Sequence, residues 1–170
     1  MKKLFYFTLI LFSFFTSCHD DDNQNPNVLP ETTQVGANTG GALIDGKVWV
    51  AKKEFPDLNP GGNNTAYEKN SNGYTLHITL RKSDNEGLTL TLINNIDIVE
   101  GTYPLNDANY SNNKNTYSSI FSNQKSNITI TKFDKKNKFV SGTFYYEAVN
   151  INGDGTKVVV TEGRFDKEFF

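Results

Sequence analysis

From Tyr74 to Arg81 apolar and polar side chains alternate without a break: Tyr74, Leu76, Ile78 and Leu80 share one parity, Thr75, His77, Thr79 and Arg81 the other. Strict period two marks a strand with one buried and one wet face. Asp84-Asn85-Glu86-Gly87 supplies turn chemistry, and Leu88, Leu90 and Leu92 then alternate with Thr89 and Thr91, so the two runs predict an antiparallel hairpin. Ile128–Phe133, the charged turn Asp134–Lys138 and Phe139–Tyr146 predict a second pairing, and Asn150–Gly155 turns the chain into Val158–Thr161 and on to Phe165. Leu43–Trp49 reads as a short hairpin around Asp45-Gly46. After residue 17 no stretch repeats apolar residues at helical spacing. The expected fold is therefore all-β, a single antiparallel β-sandwich or β-barrel-like domain over residues 39–170. The Asn-rich stretches Pro56–Ser71 and Asn106–Asn123 are expected to be long loops.

The N-terminal pattern differs. Lys2-Lys3 precede an apolar run, Leu4–Phe15, of about 12 residues, short of the ~20 that a membrane-spanning helix needs. Small residues Thr16-Ser17 follow, then Cys18, so residues 1–17 read as a signal peptide. Phe15-Thr16-Ser17-Cys18 resembles the lipobox of bacterial lipoproteins, with Phe15 where Leu is usual; the resemblance implies a thiol that carries diacylglycerol on a new N-terminus. Several acyl chains hold a protein firmly, since each buried CH₂ contributes ~0.8 kcal/mol. His19-Asp20-Asp21-Asp22-Asn23 resembles the acidic export signal of Bacteroidota surface lipoproteins. It implies an outer-membrane location, with the cell surface preferred over the periplasmic face. Residues 18–38 are polar, contain Pro26 and Pro30, and are expected to form a disordered tether from the lipidated cysteine to the domain.

Composition narrows the functions. A chain starting at Cys18 would lose Lys2 and Lys3, leaving 15 basic against 19 acidic residues, a net charge of −4. Nucleic acid has no basic surface to meet. The single cysteine cannot form an intrachain disulfide. With two histidines, His19 in the tether and His77 on a strand's polar face, neither a His-rich zinc site nor a Cys-His pair can be assembled. No G-x-S-x-G elbow occurs. Asn150-x-Asn152-x-Asp154-Gly155 imitates half a calcium loop, but its twelfth position holds Thr161 and strands flank it, so a hairpin turn is the better reading. No catalytic residue, metal ligand or cofactor is assigned.

Thr39–Ala42, Ile44–Trp49, Ile128–Asp134, Gly142–Tyr146 and Val160–Phe165 together resemble a family of small Bacteroidota lipoproteins of unknown function, with strand motifs I-T-I-T-K-F-D and G-T-F-x-F. Tyr146 stands where Phe is expected. The likeness covers residues 39–166 and implies fold and address, with no catalytic residue to carry over.

The expected function is a membrane-anchored, non-enzymatic binding or interaction module of the cell envelope, with a glycan or protein partner. Tyr67, Tyr103, Tyr110 and Tyr117, in or beside predicted loops, are its candidate ligand contacts. One alternative is a glycan hydrolase using two carboxylates from Glu100, Glu147 and Glu162, with Glu147 and Glu162 the first pair to test. The other is a structural envelope component.

Overall fold

A computed structural model of the chain describes residues 25–52, 64–71 and 73–170; residues 1–17, expected to be a signal peptide, Cys18 and the acidic run Asp20–Asp22 lie outside them. The described residues form eleven strands: β1 (Thr39–Ile44), β2 (Lys47–Val50), β3 (Thr65–Asn70), β4 (Gly73–Ser83), β5 (Glu86–Asn94), β6 (Gly101–Pro104), β7 (Asp107–Ser111), β8 (Thr116–Ser118), β9 (Asn127–Asp134), β10 (Phe139–Asn150) and β11 (Lys157–Glu168). All pair antiparallel in one sheet ordered β2-β1-β11-β10-β8-β7-β5-β4-β3, with β9 also on β10 and β6 on β9. The sheet curls into a half-barrel, so the molecule is all-β as the alternation predicts. Among the described residues no helix is long and apolar enough to cross a membrane.

The β4–β5 hairpin follows the sequence pattern residue by residue. Leu76 pairs with Leu92, Ile78 with Leu90 and Leu80 with Leu88, and all six are buried. β7 adds Ala108 against Leu90 and Tyr110 against Leu88. The β1–β2 turn uses Asp45 and Gly46, both at positive φ (49° and 76°), the conformation a two-residue hairpin requires. Beyond β2, Lys52 N–H donates to the Arg81 carbonyl at 2.8 Å and the Trp49 indole donates to Glu86 at 2.9 Å, drawing that end of the sheet onto the β4–β5 hairpin.

The two Asn-rich stretches hold more structure than expected: β3 lies in the first, and β7, β8 and one 3-10 turn (Ser119–Phe121) lie in the second. Their inward faces are narrow. In β7 only Ala108 and Tyr110 are buried, which leaves a weak apolar signal.

β10 is the keel of the sheet. Its even-numbered residues from Val140 to Asn150 face inward, and β11 runs along its whole length. Both long neighbours carry a one-residue bulge against it. In β9, Ser141 pairs with Lys132 but Gly142 with Ile130, and Thr131 is the extra residue. In β11, Phe144 pairs with Gly163 and Tyr146 with Val160, so Thr161 and Glu162 together oppose Tyr145. A side-chain period of two means that one extra residue exchanges the faces. Val158 and Val160 are inward before the bulge; Gly163, Phe165, Lys167 and Phe169 are buried after it. Gly142 and Gly163 sit where these neighbours cross. A Cβ on Gly142 would collide with the Thr129 carbonyl oxygen and lie 2.7 Å from the Phe165 ring.

The outward side of β11 beyond the bulge is covered by the chain ahead of β1. Asp166, 1% exposed, accepts bonds from Thr33 Oγ1 (2.6 Å), Ser141 Oγ (2.7 Å) and the backbone N–H groups of Val35 (3.1 Å), Gly36 (2.9 Å) and Ala37 (3.1 Å). Upstream, the Pro30 carbonyl accepts from Arg164 Nη1 at 3.4 Å. Residues from Pro30 to Asn38, assigned by composition to the tether, thus form a strap laid on the sheet. Burial alone would raise the Asp166 pKa, but the bonds from Thr33, Ser141, Ala37 and Val35 outweigh it and hold the carboxyl below its ordinary value.

Two outcomes follow for stability. Gly142→Ala should destabilise the fold by about 3 kcal/mol, because backbone rather than a movable side chain blocks the new methyl; urea titration reads this as a lower midpoint. For Asp166 the depressed folded pKa means that its contribution is complete above the unfolded value near 4 and is lost as pH falls through the folded value. Asp166→Asn should therefore cost about 3 kcal/mol at pH 7 and progressively less in acid. A wild-type-to-variant difference that stays constant down to pH 2 would refute this account.

Candidate functional site

The four tyrosines singled out by loop position are held by the fold itself. Tyr110 and Tyr117, each 8% exposed, stack on one another with centroids 6.1 Å apart, and their hydroxyls meet Glu86 and Asn115. Tyr103 packs against the core and donates to the Val99 carbonyl at 3.0 Å. Tyr67 sets its edge against Phe133 (4.8 Å), stacks on Tyr74 (5.9 Å) and donates to Asp97, which Lys135 also binds at 2.6 Å. Burial and the bond to Asp97 push the Tyr67 phenol far above its usual pKa, so it stays protonated.

Among the described tyrosines the open ring belongs to Tyr145, 47% exposed. Its parity between inward Phe144 and Tyr146 aims it away from the core. Asn127 Nδ2 donates to its hydroxyl oxygen at 2.7 Å. The ring stands in a cleft of about 250 Å³ on the outer face of β9, β10 and β11, between Asn127, Thr129, Thr143, Glu162 and Arg164. Register explains the grouping. Thr129, Thr143 and Arg164 are direct cross-strand partners, as are Asn127 and Tyr145.

Glu162 completes the cleft at φ +50°, a left-handed backbone for a side chain with a Cβ. Such a conformation costs of order 1–3 kcal/mol and persists only where the surroundings impose it; here the face exchange in β11 imposes it. Arg164 is fixed beside it: Nη2 lies 3.6 Å from Glu162 Oε2, Nε donates to the Glu162 carbonyl at 3.3 Å, and Nη1 holds Pro30. The cleft therefore offers an aromatic face, a positioned guanidinium and a carboxylate side by side.

A larger hollow, about 500 Å³, lies between the β4–β5 and β7–β8 turns, lined by Arg81, Asp84, Asn85, Asn112 and Asn113 among others, without an aromatic ring. His77 is a cross-strand partner on the outer face, 3.2 Å from Thr91 Oγ1 and 3.3 Å from Thr79 Oγ1.

The carboxylates are spoken for. Glu147 accepts from Lys157 and Ser122, both at 2.9 Å, and these bonds, Lys157 first, lower its pKa. The Phe133 N–H does the same for Glu100. A glycosidase acid needs the opposite shift. In the calcium-like loop, Asp154 accepts from the Thr156 hydroxyl (2.7 Å) and N–H (2.8 Å) and from Asn150 Nδ2 (2.8 Å), which makes it the clasp of a hairpin turn. Among the described residues no three His, Cys, Asp or Glu side chains gather to hold a metal.

A family model described as a domain of unknown function, DUF6252, matches residues 42–167, most of the chain. The chain belongs to the DUF6252 family. No curated protein and no solved structure matches it significantly. The DUF6252 match runs from within β1 to near the end of β11, and so takes in the cleft, both bulges and Asp166.

Because glycine adopts positive φ without a Cβ clash, Glu162→Gly should relieve the backbone at the bulge. The variant is expected to gain about 0.5–1 kcal/mol. Thermal unfolding checks it, and a clear loss of stability would show that Glu162 is held by contacts rather than strained by them.

Proposed function

We propose that this DUF6252 protein is a lipid-anchored, non-enzymatic binding module of the bacterial cell envelope, whose ligand seats at Tyr145. The anchor rests on residues 1–23: a basic start, an apolar run too short to span, a lipobox-like Phe15–Cys18 and an acidic run that stays in water. By their resemblance to Bacteroidota lipoproteins these features favour the outer membrane, and the cell surface over its periplasmic side.

The binding role rests on one observation, the half-exposed Tyr145 ring beside the Arg164–Glu162 pair. An aromatic ring with convergent polar groups is the usual composition of a recognition site. Nothing comparable supports hydrolysis, since Glu147 and Glu162 each face their own cation, Lys157 and Arg164.

Intact-mass analysis of the protein from its own cells should show Cys18 as a diacylated N-terminus, and Cys18→Ala should move the protein out of the membrane fraction. A bare Cys18 on a freely released chain would overturn the anchor. Affinity capture from envelope extracts should be weakened at least tenfold by Tyr145→Ala, about 1.4 kcal/mol. Capture that is indifferent to this change would remove the cleft from the binding reading.

A further inference from the structure

We propose that the cleft at the β11 bulge is a subsite for one neutral pyranose ring of an oligosaccharide. The inference rests on the binding-module reading and adds the ligand class. A pyranose has an apolar face of ring C–H groups, and Tyr145 offers an open π surface of matching shape. It also carries adjacent hydroxyls, each both a donor and an acceptor. Glu162 supplies an acceptor-only carboxylate, 3.6 Å from the donor-only guanidinium of Arg164. A vicinal diol answers both at once, one hydroxyl donating to Glu162 and its neighbour accepting from Arg164.

The surrounding groups extend the match. The Tyr145 oxygen already accepts from Asn127, so its own proton is free to be donated into the cleft. Thr143 and Thr129 line the floor beside Arg164, and the Thr129 hydroxyl is in turn bonded to Thr102 at 2.9 Å. These are short, pre-positioned side chains on strands, which lose little freedom on binding.

Size and charge narrow the class. At about 250 Å³ the cleft falls below the 300–1,000 Å³ of sites that enclose drug-sized ligands, so it takes a single ring and leaves the neighbouring rings in solvent. The Arg164 charge is matched by Glu162 rather than open, and a uronic acid would bring a second carboxylate against Glu162.

The test is a glycan array with neutral and acidic oligosaccharides, followed by calorimetric titration of the best neutral one into the full chain in detergent. Neutral glycans with adjacent ring hydroxyls should be retained, with uronic-acid glycans at least tenfold weaker. Tyr145→Ala should weaken binding more than tenfold, Tyr145→Phe only a few-fold because the stacking face remains. Glu162→Gly should weaken binding about tenfold while its melting temperature holds or rises, which separates ligand contact from folding. Preference for acidic glycans, or neutral binding that survives Tyr145→Ala, overturns the proposal. An empty array with a protein partner still captured through Tyr145 overturns the saccharide but leaves the binding module standing. No capture of any kind takes both down.

Discussion

One extra residue in β11 decides which face the second half of that strand turns to the core. Without it, Phe165 and Phe169 would point at solvent and Asp166 would enter the interior. The bulge puts both rings inside and the carboxylate outside, where the strap meets it. It also leaves two consecutive outward residues, Thr161 and Glu162, opposite Tyr145. The matching bulge at Thr131 in β9 lets Phe133 follow Ile128 and Ile130 inward. With a bulge on each side, β10 becomes the line about which the sheet bends, as added local twist requires.

The strand pattern was readable wherever both partners alternate strictly. The β4–β5 hairpin is of that kind, because a slip of one residue would turn all three buried aliphatic side chains of the slipping strand to the other face. The Asp45-Gly46 turn was readable because its residue types suit positive φ. β7 and β8 were hidden because their buried face amounts to little more than Ala108, Tyr110 and Tyr117. The strap has the sequence of a tether because its partners are remote: Thr33 and Asp166 stand 133 positions apart, and a polar segment that docks through its N–H groups has the composition of one that does not dock.

The site was harder to see for a related reason. Loop position drew attention to Tyr67, Tyr103, Tyr110 and Tyr117, yet half-barrel ends are places where rings fold over the core. Tyr145 sits mid-strand in an aromatic run, Phe144-Tyr145-Tyr146, and only its parity marks it as outward. That parity was available from the alternation of β10. Its companion Glu162 was not, since its direction depends on a bulge that Thr161-Glu162-Gly163 does not announce. The proposed binding cleft and the backbone strain therefore meet in one place, where the sheet changes face beside the most exposed of the described tyrosines.

The strap has a mechanical consequence. In the proposed anchored state, pull on the N-terminal side would reach the domain at the strap before it reaches β1. Load must break the Arg164 bond to Pro30 and the Asp166 bonds to Thr33, Val35, Gly36 and Ala37, so the clasp works as a strain relief, like the grip where a cable enters its housing. The hydrogen bonds that join β1 to β2 and β11 are thereby spared the first pull.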